Sequence, residues 1–447
     1  MKIKFLGAAE MVTGSCYLLT SDSGDQILID LGMFQGPPEI DALSFKPFEV
    51  DCSLLRGVLL THAHLDHCGR LPILQKLGFK GHIYMTAPTA ELSELTLLDS
   101  AKIAQEDHPE DALYNKDQVI NLVHKFRVIE YNHPFEIGSF NVTFRDAGHI
   151  IGSASIEVEA DSQKIVFSGD LGNTPEDLTK PTQNITSADF AVCESTYGDR
   201  SHPPGEAIDI IRAEINMAEQ SSGALLIPAF ALERTQELLH IISHLKSKNL
   251  IKQDTPVFLD SPMAEKATII YEKFSSFLND EIKKDFITSD PFSFPGLRII
   301  RDRKESSGLD NLPGVKVIIA GSGMMTGGRM VNHARILLQN SSTRLLIVGY
   351  QAEGTLGRKL LNGEKEVKVG DQSIHVNATV TDTQVMSSHA DQSGLLNWLK
   401  SIQGLKKVIL THGEKSSRET LAQKIKTDLH LSDISLPSLN QELVLNN

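Results

Sequence analysis

The sequence predicts an α/β protein built from two or three domains. A chain of 447 residues is too long for a single hydrophobic core, and 40% apolar with 22% charged residues is typical of a folded globular protein. Short segments typical of strands dominate the first part of the chain, whereas strands alternate with helical segments after residue 205. Histidines and acidic residues directly follow several strands. We therefore expect a sheet-rich domain with a polar site and an inserted parallel α/β domain.

Composition and charge restrict the function. No apolar run approaches the roughly 18–20 residues that cross a bilayer, so we expect no membrane partner. The 4 cysteines are scattered without CxxC spacing, which argues against a disulfide framework and for the reducing cytoplasm. The net charge of -14 argues against general nucleic-acid binding, because that affinity normally comes from lysine and arginine. A polyanionic substrate would require metal ions and a local basic groove.

The first strands lead into a candidate metal loop. The predicted strands are Met1–Leu6, Ser15–Thr20, Gln26–Leu31 and Gly57–Leu60. The last of them continues into Thr-His-Ala-His-Leu-Asp-His at residues 61–67. His62 and His64 lie two apart in an extended segment, so both can hold one ion, and Asp66 and His67 follow a bend and can reach a second ion. Imidazole with carboxylate suits zinc, with manganese or iron possible on ligand type alone.

Further acidic residues and histidines stand at strand ends. Asp30 follows the third strand, where a turn-initiating role and a supporting role are equally compatible with the residue. His149 lies in a Gly-His-Ile-Ile-Gly loop between two predicted strands, and Asp170 ends the strand that begins at Lys164. A carboxylate at this position, with Gly169 allowing close approach, is suited to bridging two cations.

The segment after residue 205 predicts a parallel α/β domain with a glycine-rich loop. Its strands are predicted at 224–227, 256–260, 315–320 and 344–349, and its helices at 207–219, 231–245 and 329–339. The loop at 321–328 is not a dinucleotide fingerprint, because its sixth position is Thr326 and the next strand ends without an acidic residue. Free N–H groups at a helix start favour phosphate. The predicted phosphate contacts are Ser322, Thr326, Gly327, Gly328 and Arg329. Tight strand–helix packing is the alternative, and we take His333 as structural.

Two histidine motifs follow residue 352 and complete a series that resembles a known family. They are Met-Ser-Ser-His-Ala-Asp at 386–391 and Val-Ile-Leu-Thr-His-Gly-Glu at 408–414. With the earlier motifs, this order resembles the metallo-β-lactamase superfamily. Glu-Ser-Thr-Tyr-Gly at 194–198 and the inserted domain are similar to its β-CASP family of nucleic-acid-processing enzymes. The resemblance implies an αββα sandwich in 1–205 and 352–447 and a β-CASP cap in 206–351. It also implies the compact prokaryotic form, similar to the mRNA 3′-end cleavage endonuclease subunit without its KH-type extension.

The resemblance also implies a role for each site residue. Two Zn²⁺ ions, with Mn²⁺ possible, would be held by His62, His64, Asp66, His67, His149, Asp170 and His412. Asp170 would bridge the ions, and Asp30 would support the metal loop. His389 would be the general acid, with Glu194 and Asp391 assisting it, and Asp66 would also belong to the catalytic set.

The implied reaction is hydrolysis of single-stranded RNA to 5′-phosphate and 3′-hydroxyl ends. In the family, a histidine at the position of His412 goes with RNA over DNA. The sequence leaves endonuclease and 5′–3′ exonuclease action open, and a homodimer is a further expectation. A small-molecule metallohydrolase acting on thioesters or lactams would leave His389 and the insert of about 150 residues unexplained. A DNA nuclease and a non-catalytic RNA-binding scaffold also remain open, although the complete ligand set argues against the scaffold.

Overall fold

The computed structural model describes residues 1–107, 110, 112–173, 177–383 and 385–445. The chain forms two compact units. The first unit combines Met1–Ser201 with Ser388–Asn447, and the second comprises His202–Ser387. Within the described residues, no helix is long and apolar enough to cross a membrane.

The segment before residue 202 consists mainly of short strands. In chain order its strands and α-helices are β1 (Lys2–Phe5), β2 (Tyr17–Thr20), β3 (Gln26–Ile29), α1 (Pro38–Asp41), β4 (Leu55–Leu59), α2 (Leu65–Cys68), β5 (His82–Met85), α3 (Ala87–Asp107), α4 (Lys116–Val123), β6 (Phe126–Val128), β7 (Phe135–Ile137), β8 (Phe140–Asp146), β9 (Ala154–Ala160), β10 (Gln163–Phe167) and β11 (Phe190–Cys193). Both faces of β3 are buried, because Ile27 and Ile29 enter one hydrophobic cluster and Leu28 enters another.

Helices and strands alternate in the second unit. They are α5 (Ala207–Ser221), β12 (Ala224–Pro228), α6 (Arg234–Ser247), β13 (Val257–Asp260), α7 (Pro262–Lys273), α8 (Asp280–Thr288), β14 (Leu297–Ile299), α9 (Arg303–Leu309), β15 (Lys316–Ala320), α10 (Gly328–Leu337), β16 (Arg344–Ile347), α11 (Leu356–Leu361), β17 (Glu366–Val369), β18 (Gln372–His375) and β19 (Thr379–Asp382). The returning segment adds α12 (Gln392–Ser401), β20 (Lys407–Leu410), α13 (Lys415–Asp428), β21 (Ile434–Ser435) and β22 (Glu442–Val444) to the first unit.

The first unit is the αββα sandwich that the sequence motifs predict. Its described strands form two seven-stranded sheets, ordered β22-β1-β2-β3-β4-β5-β6 and β21-β20-β11-β10-β9-β8-β7. Side chains such as Phe5 and Phe167 form the cluster between the sheets. Leu97 of α3 and Leu122 of α4 cover one outer face, and the helices α12 and α13 cover the other, for example through Leu399. Each helix therefore buries its apolar side on a sheet.

The second unit is built on a parallel sheet. Its described residues form six strands in the order β14-β13-β15-β12-β16-β19, and neighbouring strands run parallel. The strands β12, β13 and β15 are buried throughout, which is the pattern of a parallel sheet covered on both faces. Ala334 and Leu337 of α10 pack on the cluster that also contains Leu226 and Ile318 of the sheet.

The boundary at which the chain returns differs from the sequence prediction. The prediction placed residues 352–447 in the first unit, but the second unit extends to Ser387. The strand β19 pairs in parallel with β16 and so adds an edge strand to the six-stranded sheet. Leu360 of α11 and Val367 of β17 lie in the same hydrophobic cluster as that sheet. The sequence does not specify which sheet these segments join.

Candidate metal centre

The loop after β4 presents the first histidines. Residues 61–64 are extended, and the single-turn helix α2 begins directly after His64, which has φ -65° and ψ 148°. This helix turn is the bend that the sequence predicted before Asp66 and His67. Gly32 lies against the backbone of α2, where an added Cβ would come within 1.6 Å of the Asp66 carbonyl oxygen. A side chain at residue 32 would therefore displace the loop.

Three imidazoles and a carboxylate converge in the first group of ligand atoms. His64 Nδ1 lies 3.1 Å from His62 Nε2 and 3.1 Å from His149 Nε2. Asp170 Oδ2 lies 3.5 Å from His62 Nε2 and 3.7 Å from His149 Nε2. One ligand atom from each of the four residues lies within 4.8 Å of those of the others. The structure thus brings together the residues that the sequence predicted for one ion.

Asp66, His67 and His412 form a second group beside the first. His412 Nε2 lies 3.3 Å from Asp66 Oδ2, and His67 Nε2 lies 3.9 Å from the same oxygen. The other carboxylate oxygen of Asp170, Oδ1, is 3.3 Å from His67 Nε2. The two oxygens of Asp170 therefore face different groups, an arrangement in which a carboxylate can bridge two ions. We call these seven residues the core cluster: His62, His64, Asp66, His67, His149, Asp170 and His412.

The chemistry of the core cluster fits divalent cations. Asp170 Oδ1 is buried and has no hydrogen-bond partner within the described residues. Burial lowers the pKa of His62 and of His149 well below the usual value, so both imidazoles are neutral and offer lone pairs. Tetrahedral zinc with Zn–N distances of about 2.0–2.1 Å separates its ligands by about 3.3 Å, close to the observed nitrogen spacing. An unpartnered carboxylate oxygen of a residue that also faces the neutral imidazoles of His62 and His149 fits a cation site.

Asp30 and Thr61 orient two of these imidazoles from behind. His67 Nδ1 lies 2.7 Å from Asp30 Oδ2, and because a carboxylate only accepts, Nδ1 carries the hydrogen and Nε2 faces the core cluster. Asp30 also accepts from the N–H and the hydroxyl of Thr61, each at 2.8 Å. The Thr61 oxygen then lies 3.1 Å from His62 Nδ1. The supporting position predicted for Asp30 agrees with this geometry; Thr61, directly before His62, was missed.

Residues of the later signature motifs hold the remaining ligands. His149 Nδ1 lies 2.9 Å from the carbonyl oxygen of Ser388, which can only accept, so His149 Nε2 presents its lone pair to the core cluster. Thr196 Oγ lies 3.1 Å from His412 Nδ1. The sequence reasoning did not identify Ser388 or Thr196 as supporting residues. Their positions inside the two signatures were the only available signal.

His389 and Glu194 form a pair at the edge of the core cluster. His389 Nδ1 lies 3.2 and 3.3 Å from the two carboxylate oxygens of Glu194, and its Nε2 lies 3.9 Å from Asp170 Oδ2. Glu194 is held by the N–H of Leu171, which donates to Oε1 at 2.7 Å. Burial disfavours the imidazolium, but the negative charges of Glu194 and Asp170 outweigh burial and raise the pKa of His389 to about 9. His389 therefore carries a proton at neutral pH and directs Nε2 toward the site.

Asp391 has a structural position that the sequence prediction did not anticipate. It is the N-cap of α12, where its Oδ1 accepts the N–H of Gly394 at 2.9 Å. Its backbone forms a bridge with Tyr197. These contacts anchor the segment that carries His389, and the assisting role of Asp391 in proton transfer stays a prediction.

The glycine-rich loop of the second unit uses several of the groups that were predicted to bind phosphate. The N–H groups of Thr326 and Gly327 donate to Ser322 Oγ at 3.0 and 3.3 Å. The Arg329 guanidinium donates to Asp260 Oδ1 at 2.5 Å and to two backbone carbonyl oxygens at 3.0 and 2.7 Å. Because these donors have partners inside the unit, the geometry favours the packing alternative, and the phosphate contacts stay a prediction.

Comparisons with known proteins agree with this fold and site. The chain matches the models "Metallo-beta-lactamase superfamily" over residues 10–187, "Beta-Casp domain" over 235–360 and "Zn-dependent metallo-hydrolase RNA specificity domain" over 373–437. It is 36% identical over 419 residues to Ribonuclease TTHA0252 of Thermus thermophilus, covering 93% of this chain and 94% of that protein. It is 32% identical over 431 residues to an RNase J-like protein of Methanocaldococcus jannaschii, covering 95% of each.

A solved structure shows the same fold at low sequence identity. The crystal structure of a protein of unknown function from Enterococcus faecalis V583 matches with a TM-score of 0.56 and 11% identity, covering 99% of both chains. This likeness concerns the fold alone. The identity to relatives over almost the whole chain and the matching models show the family. The chain belongs to the β-CASP family of the metallo-β-lactamase superfamily.

Proposed function

We propose that this protein is a zinc-dependent ribonuclease that hydrolyses single-stranded RNA. The observation that carries the proposal is the position of His389, which lies beside the core cluster and pairs with Glu194 without being needed in either group of ligands. The names of the two relatives and the RNA specificity model over residues 373–437 support RNA as the substrate. A thioester or lactam hydrolase would need the metal ligands but not the pair formed by His389 and Glu194.

The two groups of ligands in the core cluster support the binding of two zinc ions. His62, His64 and His149 would hold one ion, Asp66, His67 and His412 would hold the other, and Asp170 would belong to both. When bound, such ions lower the pKa of water toward neutrality and stabilise the negative charge on phosphoryl oxygens. Manganese could also bind to these oxygen and nitrogen ligands.

His389 supplies the proton that the reaction requires. Attack of water on phosphorus forms one P–O bond and breaks the bond to the 3′ oxygen of the preceding nucleotide, which leaves as an alkoxide unless it is protonated. His389 Nε2 points toward the core cluster and donates this proton, while Glu194 holds the opposite ring nitrogen and fixes the orientation. The products are a 5′-phosphate on one fragment and a 3′-hydroxyl on the other.

RNA labelled at either end would test the activity and the role of His389 together. We expect wild-type protein loaded with zinc to release fragments with 5′-phosphate ends, and His389→Ala to lower kcat by about 10²–10⁴-fold while retaining the metal. His375→Ala is a matched control, because this exposed histidine of the second unit pairs with a glutamate, Glu366. Asp66→Ala should lose both metal and activity.

End-labelled RNA also distinguishes endonuclease from exonuclease action, and two further measurements test the substrate preference and the homodimer. An internal ladder of fragments indicates endonuclease action, and early release of 5′-mononucleotides indicates 5′–3′ exonuclease action. Duplex RNA and single-stranded DNA of the same sequence measure the preference for single-stranded RNA, and light scattering measures whether the chain is a homodimer. Intact RNA in the presence of metal-loaded wild-type protein would refute the proposed ribonuclease activity. Thioesters would then be tested as substrates.

Glu194 acts on the substrate only through His389, so we assign it as a positioning residue. Glu194→Gln keeps the shape of the side chain but removes the negative charge that raises the pKa of His389. We expect the decline of kcat at alkaline pH to move to lower pH in this variant. A lower kcat with an unchanged pH profile would indicate that Glu194 has only a structural role.

A further inference from the structure

A second group of possible metal ligands lies in the second unit, on α6 and α8. His240 and His244 are four residues apart on α6, so their side chains lie one above the other on the same helix face. Their Nε2 atoms both lie 2.9 Å from one oxygen of Asp285, Oδ2, which belongs to α8. The two rings have centroids 4.4 Å apart and meet at 61°. Three potential ligand atoms thus converge from two helices.

We propose that His240, His244 and Asp285 form a structural zinc site that fastens α8 to α6. This site goes beyond the ribonuclease activity and does not depend on it. Its ligands belong to the second unit and share no residue with the core cluster.

The ligand chemistry selects the class of ion. Two imidazole nitrogens with one carboxylate oxygen suit zinc and neighbouring transition metals, whereas calcium and magnesium prefer sets made only of oxygen. Histidines at positions i and i+4 of a helix are a spacing that zinc proteins use for two ligands on one ion. In the absence of an ion, both imidazoles satisfy Asp285 Oδ2 by donating N–H groups. If each ring carries its hydrogen on Nδ1 instead, both Nε2 atoms offer lone pairs. Zinc would then take the place of the two hydrogens between the rings and Asp285.

The group is partly buried and partly exposed, so its side chains are ordered and an ion can still reach them. The His240 side chain is 6% exposed, whereas those of His244 and Asp285 are 35% and 34% exposed. The buried ring of His240 is fixed in position, and the exposed side of the group allows an ion and its remaining water ligands to enter.

The surroundings of α8 indicate what the zinc would do. Of the nine residues in this helix, only Ile282 is buried among the residues that the structure describes. Ile287 is 82% exposed, so apolar packing holds the helix weakly. The contacts of Asp285 with α6 are therefore a principal attachment of α8, and a metal bond at this point would order residues 280–288.

Zinc content and hydrogen exchange of the full chain test the site. Chelator-stripped wild type, His244→Gln and Asp285→Asn would be equilibrated with zinc buffered at a fixed free concentration, and bound zinc would be measured per chain. We expect wild type to bind one more equivalent than either variant. At free zinc ten times the Kd, amide exchange in α6 and α8 of wild type should slow by about tenfold, with no such change in the variants.

His375→Gln is the matched control, because this exposed histidine of the same unit pairs with one carboxylate and, among the residues that the structure describes, belongs to no group of three ligands. It should retain the wild-type zinc content. Equal zinc content in wild type and His244→Gln, with zinc-independent exchange in α8, would overturn the proposal and leave a hydrogen-bonded contact. If Asp285→Asn fails to fold, His244→Gln decides, because its side chain is partly exposed and the loss of one ligand leaves the helix contact of His240 in place.

Discussion

Buried histidines and carboxylates occur both in the core cluster and around His333 of the second unit, with opposite chemistry. His333 Nε2 lies 2.7 Å from Asp260 Oδ2, and its Nδ1 lies 2.6 Å from Asp310 Oδ1. Asp260 also accepts from Ser306 and from the Arg329 guanidinium, each at 2.5 Å. Hydrogen-bond donors therefore surround both of its oxygens.

The two regions differ in whether their polar atoms are satisfied. Burial disfavours a charged His333, but its hydrogen bonds to Asp260 and Asp310 raise its pKa to about 9, so it is an imidazolium in an ion-pair network. In the core cluster, burial and neighbouring histidines lower the pKa of His62 well below the usual value, and Asp170 Oδ1 has no hydrogen-bond partner in the described chain. Residue types alone do not distinguish a metal site from an ion-pair network. The unfilled oxygen of Asp170 and the neutral rings of His62 and His149 do.

Removing the carboxylate of Asp170, which faces both groups of ligands, should have the largest effect on zinc binding and RNA cleavage. Asp170→Asn exchanges a charged bridging oxygen for an amide nitrogen, so we expect loss of bound zinc and a decrease in RNA cleavage of about 10³-fold or more. Metal content and end-labelled RNA assays measure both effects. Asp310→Asn is the control in the other region and should leave zinc content unchanged. An equal loss of zinc in both variants would contradict the distinction.

Weakening the support of one ligand should have a smaller effect. Asp30→Asn removes the charge behind His67 while retaining the shape of the side chain, and we expect zinc affinity to fall by about 10–100-fold. Titration with a competing chelator measures this affinity. Asp25→Asn, at a surface pair with Arg56 in the same unit, should not change it. An unchanged affinity in Asp30→Asn would show that the contact with His67 serves folding alone.

The ion-pair network should respond to pH rather than to metal. The pKa of His333 is raised from 6.5 to about 9 in the folded chain, so its contribution to stability is full below pH 6.5 and is lost as pH rises toward 9. The charged groups that face it are Asp260, Asp310 and, through Asp260, Arg329.

We expect the free energy of unfolding to decrease by on the order of 2 kcal/mol across this interval, as measured by urea titration at each pH. His333→Gln should flatten the profile, whereas His375→Gln should preserve it. A wild-type free energy of unfolding that does not decrease between pH 6.5 and 9 would show that His333 is not an imidazolium in the folded chain.

Local motifs made most of the core cluster predictable. His62, His64, Asp66 and His67 lie within six residues after a strand, and this density of ligands is informative without knowledge of the fold. His149, Asp170 and His412 each stand at or after a strand end, but only the resemblance to a family joined them to the first motif. The sandwich was predictable from the resemblance to the family, and the parallel sheet of the second unit was predictable from its alternating strands and helices.

Contacts between distant segments were not predictable. The carbonyl oxygen of Ser388 holds His149 across 239 positions of sequence, and Thr196 holds His412 across 216. Arg329 was expected to face a phosphate, but its contact with Asp260 joins the start of α10 to the end of β13 in the same unit. Sequence patterns specify which side chains can bond, whereas the tertiary fold decides which partner each one meets.

The core cluster draws its ligands from both ends of the chain, and this order determines when the site can exist. The second unit is translated between the first motif and His412, which follows His62 by 350 positions (412 − 62). A ribosome adds about 5–20 residues per second, so about 20–70 s separate the synthesis of these two ligands. The nascent chain cannot complete both groups of ligands in the core cluster until His412 has been translated.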